Sequence, residues 1–154
     1  MKIKPLPLLL VLLTLSFASA CSNHATATLE AGVNLSAIKS YYVVHQPKDT
    51  HGIHELIKDR LIKDGLSATA GPELAQGNYK ADAIITYVDR WMWDMTLYLL
   101  ELTVTITDAT NGFPLASGDS YHTSLTRKSP EEMVDEVMTN IFNAGKSTIQ
   151  PANP

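Results

Sequence analysis

A single cysteine, Cys21, is all the thiol this chain carries. That excludes an internal disulfide framework and every paired-cysteine metal motif. Basic charge is also scarce: 12 Lys and Arg stand against 16 Asp and Glu, a net −4. Such a chain offers no electrostatic footprint for nucleic acid and little pull toward an anionic membrane surface. No Gly-x-Ser-x-Gly elbow, phosphate loop, dinucleotide fingerprint or His-Glu-x-x-His occurs, so none of these recognised routes to catalysis can be read from the sequence. One long apolar run exists, Leu6 to Phe17. At about a dozen residues it is too short to span a bilayer core comfortably, and Pro5 and Pro7 disfavour a long regular helix there.

What is present around that run is more informative. Lys2 and Lys4 precede it and Ala18-Ser19-Ala20 follow it, the three-part layout of a bacterial export signal over residues 1–20. Cys21 comes next. The arrangement resembles the lipobox of bacterial lipoproteins, although Ala18 stands where Leu is more usual. The resemblance implies a diacylglycerol and an N-acyl group on Cys21, the only cofactor-like group expected. It also implies the outer membrane as destination, because Ser22 stands where inner-membrane retention usually has Asp. Ala18-Ser19-Ala20 equally fits an ordinary secretory cleavage site, which would release a soluble protein. The lone thiol favours the anchored form, since an unpaired cysteine is a liability in an oxidising compartment. Lys2 and Lys4 leave with the signal, so the mature chain sets 10 basic residues against 16 acidic ones, a net −6 with neutral histidines.

Residues 21–32 are small and polar and predict a lipidated N-terminus followed by a flexible tether. Residues 33–148 are long enough for one domain with its own core, and 149–154 predict a loose tail. Within the domain, Tyr41-Tyr42-Val43-Val44 predicts a strand over 40–46, ended by Pro47. Ile53, Leu56, Ile57 and Leu61 predict a helix over 50–64, capped by Asp49 or Thr50 and ended at Gly65. A short strand is expected at 66–70. Residues 81–91 and 96–107 predict the two longest strands; Leu100, Leu102, Val104 and Ile106 alternate with Glu101, Thr103, Thr105 and Thr107. Asn111-Gly112 predicts a hairpin turn into a strand over 113–123. Ser129-Pro130-Glu131-Glu132 predicts a capping box opening a last helix, with Gly145 at its end.

The expected fold is α+β: a two-layer sandwich with a mostly antiparallel sheet of four to five strands and two amphipathic helices on one face. The signal, Cys21, the helix end Leu61-Ile62-Lys63-Asp64-Gly65-Leu66 and the stretch Ala81-Asp82-Ala83-Ile84-Ile85-Thr86-Tyr87 resemble small bacterial outer-membrane lipoproteins. That likeness implies a periplasm-facing domain and transfers no functional residue.

Four local patterns are candidates for chemistry. His51 and His54 stand three apart and could meet on one helix face to bind zinc or copper, although no third ligand is spaced for it. Solvated surface histidines are the ordinary reading of such a pair. Ser36-Ala37-Ile38-Lys39 matches Ser-x-x-Lys, but its customary partner motifs are missing. Ser120 and His122 share a strand face at a spacing that is no known nucleophile–base arrangement. The fourth pattern stands out most: Arg90, Trp91, Trp93 and Met95 cluster where the two longest strands turn, and both tryptophans of the chain are here. Such side chains favour binding surfaces, while the competing expectation is that alternate residues pack under a helix. Together these features predict a non-enzymatic binding, accessory or assembly module, held by its lipid at the periplasmic face of the outer membrane near an envelope protein partner, with no metal and no nucleic acid. A carrier of a small apolar ligand or lipid, and a hydrolase whose residues converge only in three dimensions, are the alternatives.

Overall fold

The computed structural model describes residues 23–147. Cys21, the signal over 1–20 and the tail over 149–154 lie outside the described residues. The elements in chain order are β1 His24–Leu29, β2 Ser40–Val44, α1 Ile53–Lys63, β3 Ser67–Gly71, β4 Ala83–Asp94, β5 Thr96–Asp108, β6 Pro114–Tyr121 and α2 Pro130–Ser147. Short 3-10 turns occupy Leu35–Ala37 and Ser124–Thr126. The six strands form one sheet in the order β1-β6-β5-β4-β2-β3.

The α+β class holds, with two corrections to the sheet. It has six strands, not four to five, and it is mixed. β1, β6, β5 and β4 pair antiparallel, whereas β2 runs parallel to both β4 and β3. The parallel half follows from connectivity: β2 and β3 are joined through α1, and strands of one sheet joined by a helical crossover run parallel. The sixth strand is β1, which lies within the segment whose composition predicts a flexible tether. His24, Ala25, Thr26, Ala27, Thr28 and Leu29 pair with Tyr121 back through Ala116. Its inward residues are mostly alanine, so the alternation carries little hydrophobic contrast. Ala27 and Leu29 nevertheless pack against the core.

That core lies between one face of the sheet and the two helices. α1 presents Ile53, Ile57 and Leu61, and α2 presents Met133, Val134, Val137, Met138 and Ile141. They meet Tyr41, Val43, Ile85, Tyr87, Leu102, Val104 and Ile106 from the strands. Each large aliphatic or methionine side chain buried this way is worth about 1.5–3 kcal/mol. The start of α2 is the expected capping box: the Glu132 amide donates to Ser129 Oγ at 3.2 Å, and the Ser129 amide donates to Glu132 Oε2 at 2.8 Å. Gly145 does not end this helix, which continues to Ser147. Gly145 lies beside Leu35, whose Cδ1 would stand 3.4 Å from an added Cβ, an ordinary van der Waals contact. In the β5–β6 turn only Gly112 takes a positive φ; Asn111 does not, and its side chain instead accepts from the Phe113 amide at 2.7 Å. On the opposite sheet face a small cluster of Val44, Ile84 and Ala109 is covered by Tyr42 and Tyr79.

Candidate functional site

β4 and β5 run on as a hairpin past their neighbours. β2 pairs with β4 only through Ile85, and β6 pairs with β5 only from Glu101 onward. β4 runs on to Asp94, past its expected end at Trp91, while β5 begins at Thr96 as expected, so Met95 stands alone at the apex between Asp94 and Thr96. Met95 is the only non-glycine among the described residues with a positive φ, at 58°. It is 89% exposed, and Trp93 is 71% exposed. Met92 and Leu97 add further exposed apolar surface. Large apolar groups gathered on a projecting tip mark an interaction surface.

The other two candidates of this segment lie differently. Arg90 pairs with Glu101 directly across the hairpin, so its charge is answered within the sheet. Trp91 is half-buried and packs against the core. Its indole N–H donates to Asp89 Oδ2 at 2.7 Å, and its ring stacks on His51 with centroids 3.8 Å apart. Between Arg90 and Trp91 the register shifts: Arg90 faces Glu101 while Trp91 faces Leu99, which leaves Leu100 as an extra residue on β5. Beyond this bulge Arg127 braces the tip. It lies 4.4 Å over the Tyr98 ring and donates to Thr96 Oγ1 at 2.5 Å and to the Asp94 carbonyl at 2.7 Å.

Asp49 anchors the base of this hairpin to the start of α1. Oδ1 accepts the amides of His51 and Gly52, both at 2.8 Å. Oδ2 accepts Tyr87 Oη at 2.7 Å, the His54 amide at 3.3 Å and His54 Nδ1 at 3.0 Å. Burial alone would raise this carboxyl, but the hydrogen bonds from His54, Tyr87 and the backbone outweigh it and hold Asp49 well below the ordinary carboxylate range. Burial, then the hydrogen bond to Asp49, push the Tyr87 phenol upward. Asp49 is not the helix N-cap that the sequence suggests, because α1 starts later and its N-cap is Gly52, which makes no side-chain cap bond. The carboxylate instead holds the His51, Gly52 and His54 amides leading into α1 and reaches across to β4.

His51 and His54 do not share one helix face. The helix begins at Ile53 after Gly52, which has φ 75°, so the one-turn spacing does not apply. His54 turns to Asp49 and stacks on His45 at 4.0 Å, while His51 turns to Trp91. Ligand atoms of Asp49, His51 and Asp89 do lie within 4.8 Å of one another. Both oxygens of Asp49 are already committed to the bonds above and one oxygen of Asp89 holds the indole, so this set is a hydrogen-bonded hub that a metal would have to dismantle.

Ser120 and His122 do come together, but not as a nucleophile and its base. Ser120 Oγ donates to Glu136 Oε2 at 2.6 Å, and His122 Nε2 lies 2.7 Å from the same oxygen. Lys128 Nζ donates to the other oxygen at 2.5 Å. Burial would raise Glu136, but Lys128, Ser120 and His122 hold it down at about 2. The serine hydroxyl is spent on the carboxylate and does not reach the imidazole, so no proton relay is built. The cluster ties β6 to α2. Ser36 and Lys39 do not pair as nucleophile and base either: Lys39 Nζ donates one N–H to the Ser36 carbonyl at 2.6 Å, and Ser36 Oγ donates to Asn34.

Asp49, Asp89, Arg127 and Glu136 are not legible in the sequence as site residues beyond the cap. Each acts through a partner remote in sequence or through a bend in the hairpin.

No protein-family model and no curated protein sequence matches the chain. Among solved structures it is similar to the PelC dodecamer from Paraburkholderia phytofirmans, with a TM-score of 0.57 and 16% identity over 77% of this chain and 98% of PelC. A variant of the same PelC gives a TM-score of 0.58 at 14% identity. A minor lipoprotein from Acinetobacter baumannii is also similar, at a TM-score of 0.35 and 16% identity over 76% of this chain and 98% of that one. At these identities the PelC likeness is one of fold. No helix among the described residues is long and apolar enough to cross a membrane.

Proposed function

We propose that this chain is a lipoprotein of the bacterial envelope, anchored through Cys21 at the periplasmic face of the outer membrane, and that it works as a non-enzymatic binding or assembly module through its β4–β5 tip. A coincidence of ends carries this reading. His24 pairs with Tyr121, Tyr121 with Glu101, and Glu101 with Arg90. The start of β1 therefore lies on the same rung of the sheet as Arg90, and the apolar tip projects beyond that rung. Cys21 precedes His24 by three residues, a reach of at most about 10 Å. A lipid on Cys21 would hold Trp93 and Met95 close to the membrane and raise their local concentration toward a partner there. PelC forms a dodecamer, so a second copy of this chain is the first partner to test.

The experiment compares wild type with Cys21→Ala by cell fractionation and intact mass, with a photo-crosslinking residue replacing Trp93. The expected result is an acyl mass increment on Cys21, outer-membrane fractionation lost in Cys21→Ala, and a discrete crosslinked species from position 93. An unmodified soluble periplasmic protein sinks the anchor, and a lipidated protein without crosslinks sinks the role of the tip. Against a hydrolase reading, neither nucleophile–base pair that the sequence suggests is hydrogen-bonded as one: Ser120 Oγ turns to Glu136 and Ser36 Oγ to Asn34.

A further inference from the structure

A cleft of about 410 Å³ opens between the start of β2, the turn at Leu35–Ala37 and the C-terminal ends of α1 and α2. Its walls are apolar, with Leu35, Leu66 and Phe142 among them. Its charged lining is three cations, Lys39, Arg60 and Lys146, against the single carboxylate of Asp64. That is a local excess of positive charge in an acidic chain. Asp64 and Asp135 both pair with Arg60, so Lys39 and Lys146 are the cations left to face a ligand.

The wall of the cleft contains an unanswered polar group. Tyr41 is 1% exposed, and its hydroxyl has no hydrogen-bond partner among the described residues. Its ring meets Phe142 edge-on at 6.4 Å. Buried polar atoms of native proteins are nearly always paired, and an orphan at the wall of a cleft points to a ligand. Burial, then the nearby Asp82 charge, push the Tyr41 phenol above its ordinary range, so at neutral pH it keeps its proton and can donate. Lys39 uses one N–H on the Ser36 carbonyl and has two more to offer.

We infer that this cleft binds a small anionic amphiphile, a carboxylate or phosphate monoester on a short apolar body. Leu35, Leu66 and Phe142 cover the body, and Tyr41 Oη with the lysine ammonium groups receives the head. Pockets of a few hundred Å³ with apolar walls and a few convergent polar groups are the usual form of small-molecule sites. Neither lipidation of Cys21 nor the hairpin tip is needed for such binding.

The test titrates the full chain, reconstituted in phosphatidylethanolamine nanodiscs, with hexanoate, hexyl phosphate and the neutral isostere hexanamide. Methyl NMR shifts of Leu35 and Leu66 report binding. Saturable shifts are expected with hexanoate or hexyl phosphate, and whichever binds more tightly identifies the head group. Hexanamide is expected to bind about tenfold more weakly. Tyr41→Phe should weaken the anion about fivefold while leaving the thermal midpoint unchanged or raised, because it deletes only an unpaired hydroxyl. Lys39→Gln, at an exposed rim position, provides a second variant with the same expected direction. The inference is overturned if the methyl shifts do not saturate, if hexanamide binds as tightly as the anions, or if both variants bind like wild type.

Discussion

His51 and Trp91 stack face to face, with ring centroids 3.8 Å apart and planes inclined by 22°. The contact joins the loop before α1 to the root of the β4–β5 hairpin. It separates the two tryptophans by role, one fixing the hairpin and one displayed at its end.

Trp91→Ala and Trp93→Ala should accordingly dissociate stability from binding. Trp91 loses core packing, the His51 stack and the bond to Asp89, and its removal should cost about 2–4 kcal/mol. Trp93 is 71% exposed, and its removal should stay within about 0.5 kcal/mol of wild type. Urea unfolding measures both. In membranes carrying Met95→Ser, crosslinking from position 93 should disappear while stability stays near wild type.

Acid should loosen the fold through two carboxylates. Asp49 and Glu136 both titrate lower in the folded chain than in the unfolded one, Glu136 at about 2 against an ordinary 4.5. Their stabilisation is therefore complete above the unfolded-state carboxylate range and is lost as pH falls through the folded values. Unfolding midpoints from pH 7 down to pH 2 should fall most steeply below about pH 4.5. Asp49→Asn and Glu136→Gln should each start lower at pH 7 and show a shallower acid limb. Asp49→Ala should cost about 2–4 kcal/mol at neutral pH, since it frees the His51, Gly52 and His54 amides ahead of α1 and leaves the buried Tyr87 hydroxyl without its acceptor. An acid limb as steep as wild type in both variants would refute the assignment.

Met95→Gly should stabilise the domain. A long side chain at φ 58° pays for a left-handed backbone that glycine adopts freely. The gain should be about 0.5–1 kcal/mol by urea unfolding, accompanied by weaker binding at the tip. A loss of stability would mean that Met95 packs on something at the apex.

Gly118→Ala should do the reverse. A Cβ there would lie 2.8 Å from Ile141 Cγ1 and 3.1 Å from the Thr26 carbonyl oxygen. α2 and the neighbouring strand β1 both lie close to β6 at this point, and pushing them apart should cost about 1–3 kcal/mol. Calorimetry should show a lowered midpoint, and amide exchange should rise first along β1.

Much of this architecture is legible in the sequence where hydrophobic contrast is strong. Leu102, Val104 and Ile106 alternate with threonines and do face the helices; Ile53, Ile57 and Leu61 form the stripe of α1; Ser129 and Glu132 close their box. β1 is not legible, because Ala25 and Ala27 differ too little in hydrophobicity from Thr26 and Thr28 for period two to register. The Asp49 hub is legible only as a carboxylate near the start of α1, and there as a cap it does not form, since Tyr87 lies 38 residues away and no local spacing reports that pairing. The Glu136 cluster spans α2 and β6 in the same way. Trp93 and Met95 are legible as an unusual cluster, yet their exposure depends on β2 and β6 ending early, which composition does not record.

The extra residue at Leu100 has a consequence for how the tip can change. Along β5, Leu102, Val104 and Ile106 join the helix-side core, but past the bulge the core member is Leu99, and Tyr98 lies under Arg127. The bulge switches the parity of everything between it and the apex. Substitutions at the tip can therefore alter its stickiness freely while its orientation persists. Deleting Leu100 would remove the bulge yet keep Leu99 on the core side, because plain alternation from Leu102 through Glu101 then places Leu99 inward; a straight strand that retained Leu100 would instead present Tyr98 to the core and turn Leu99 away from it. The two-against-one match at Leu100, more than the identity of the outermost side chains, sets which way this part of β5 faces.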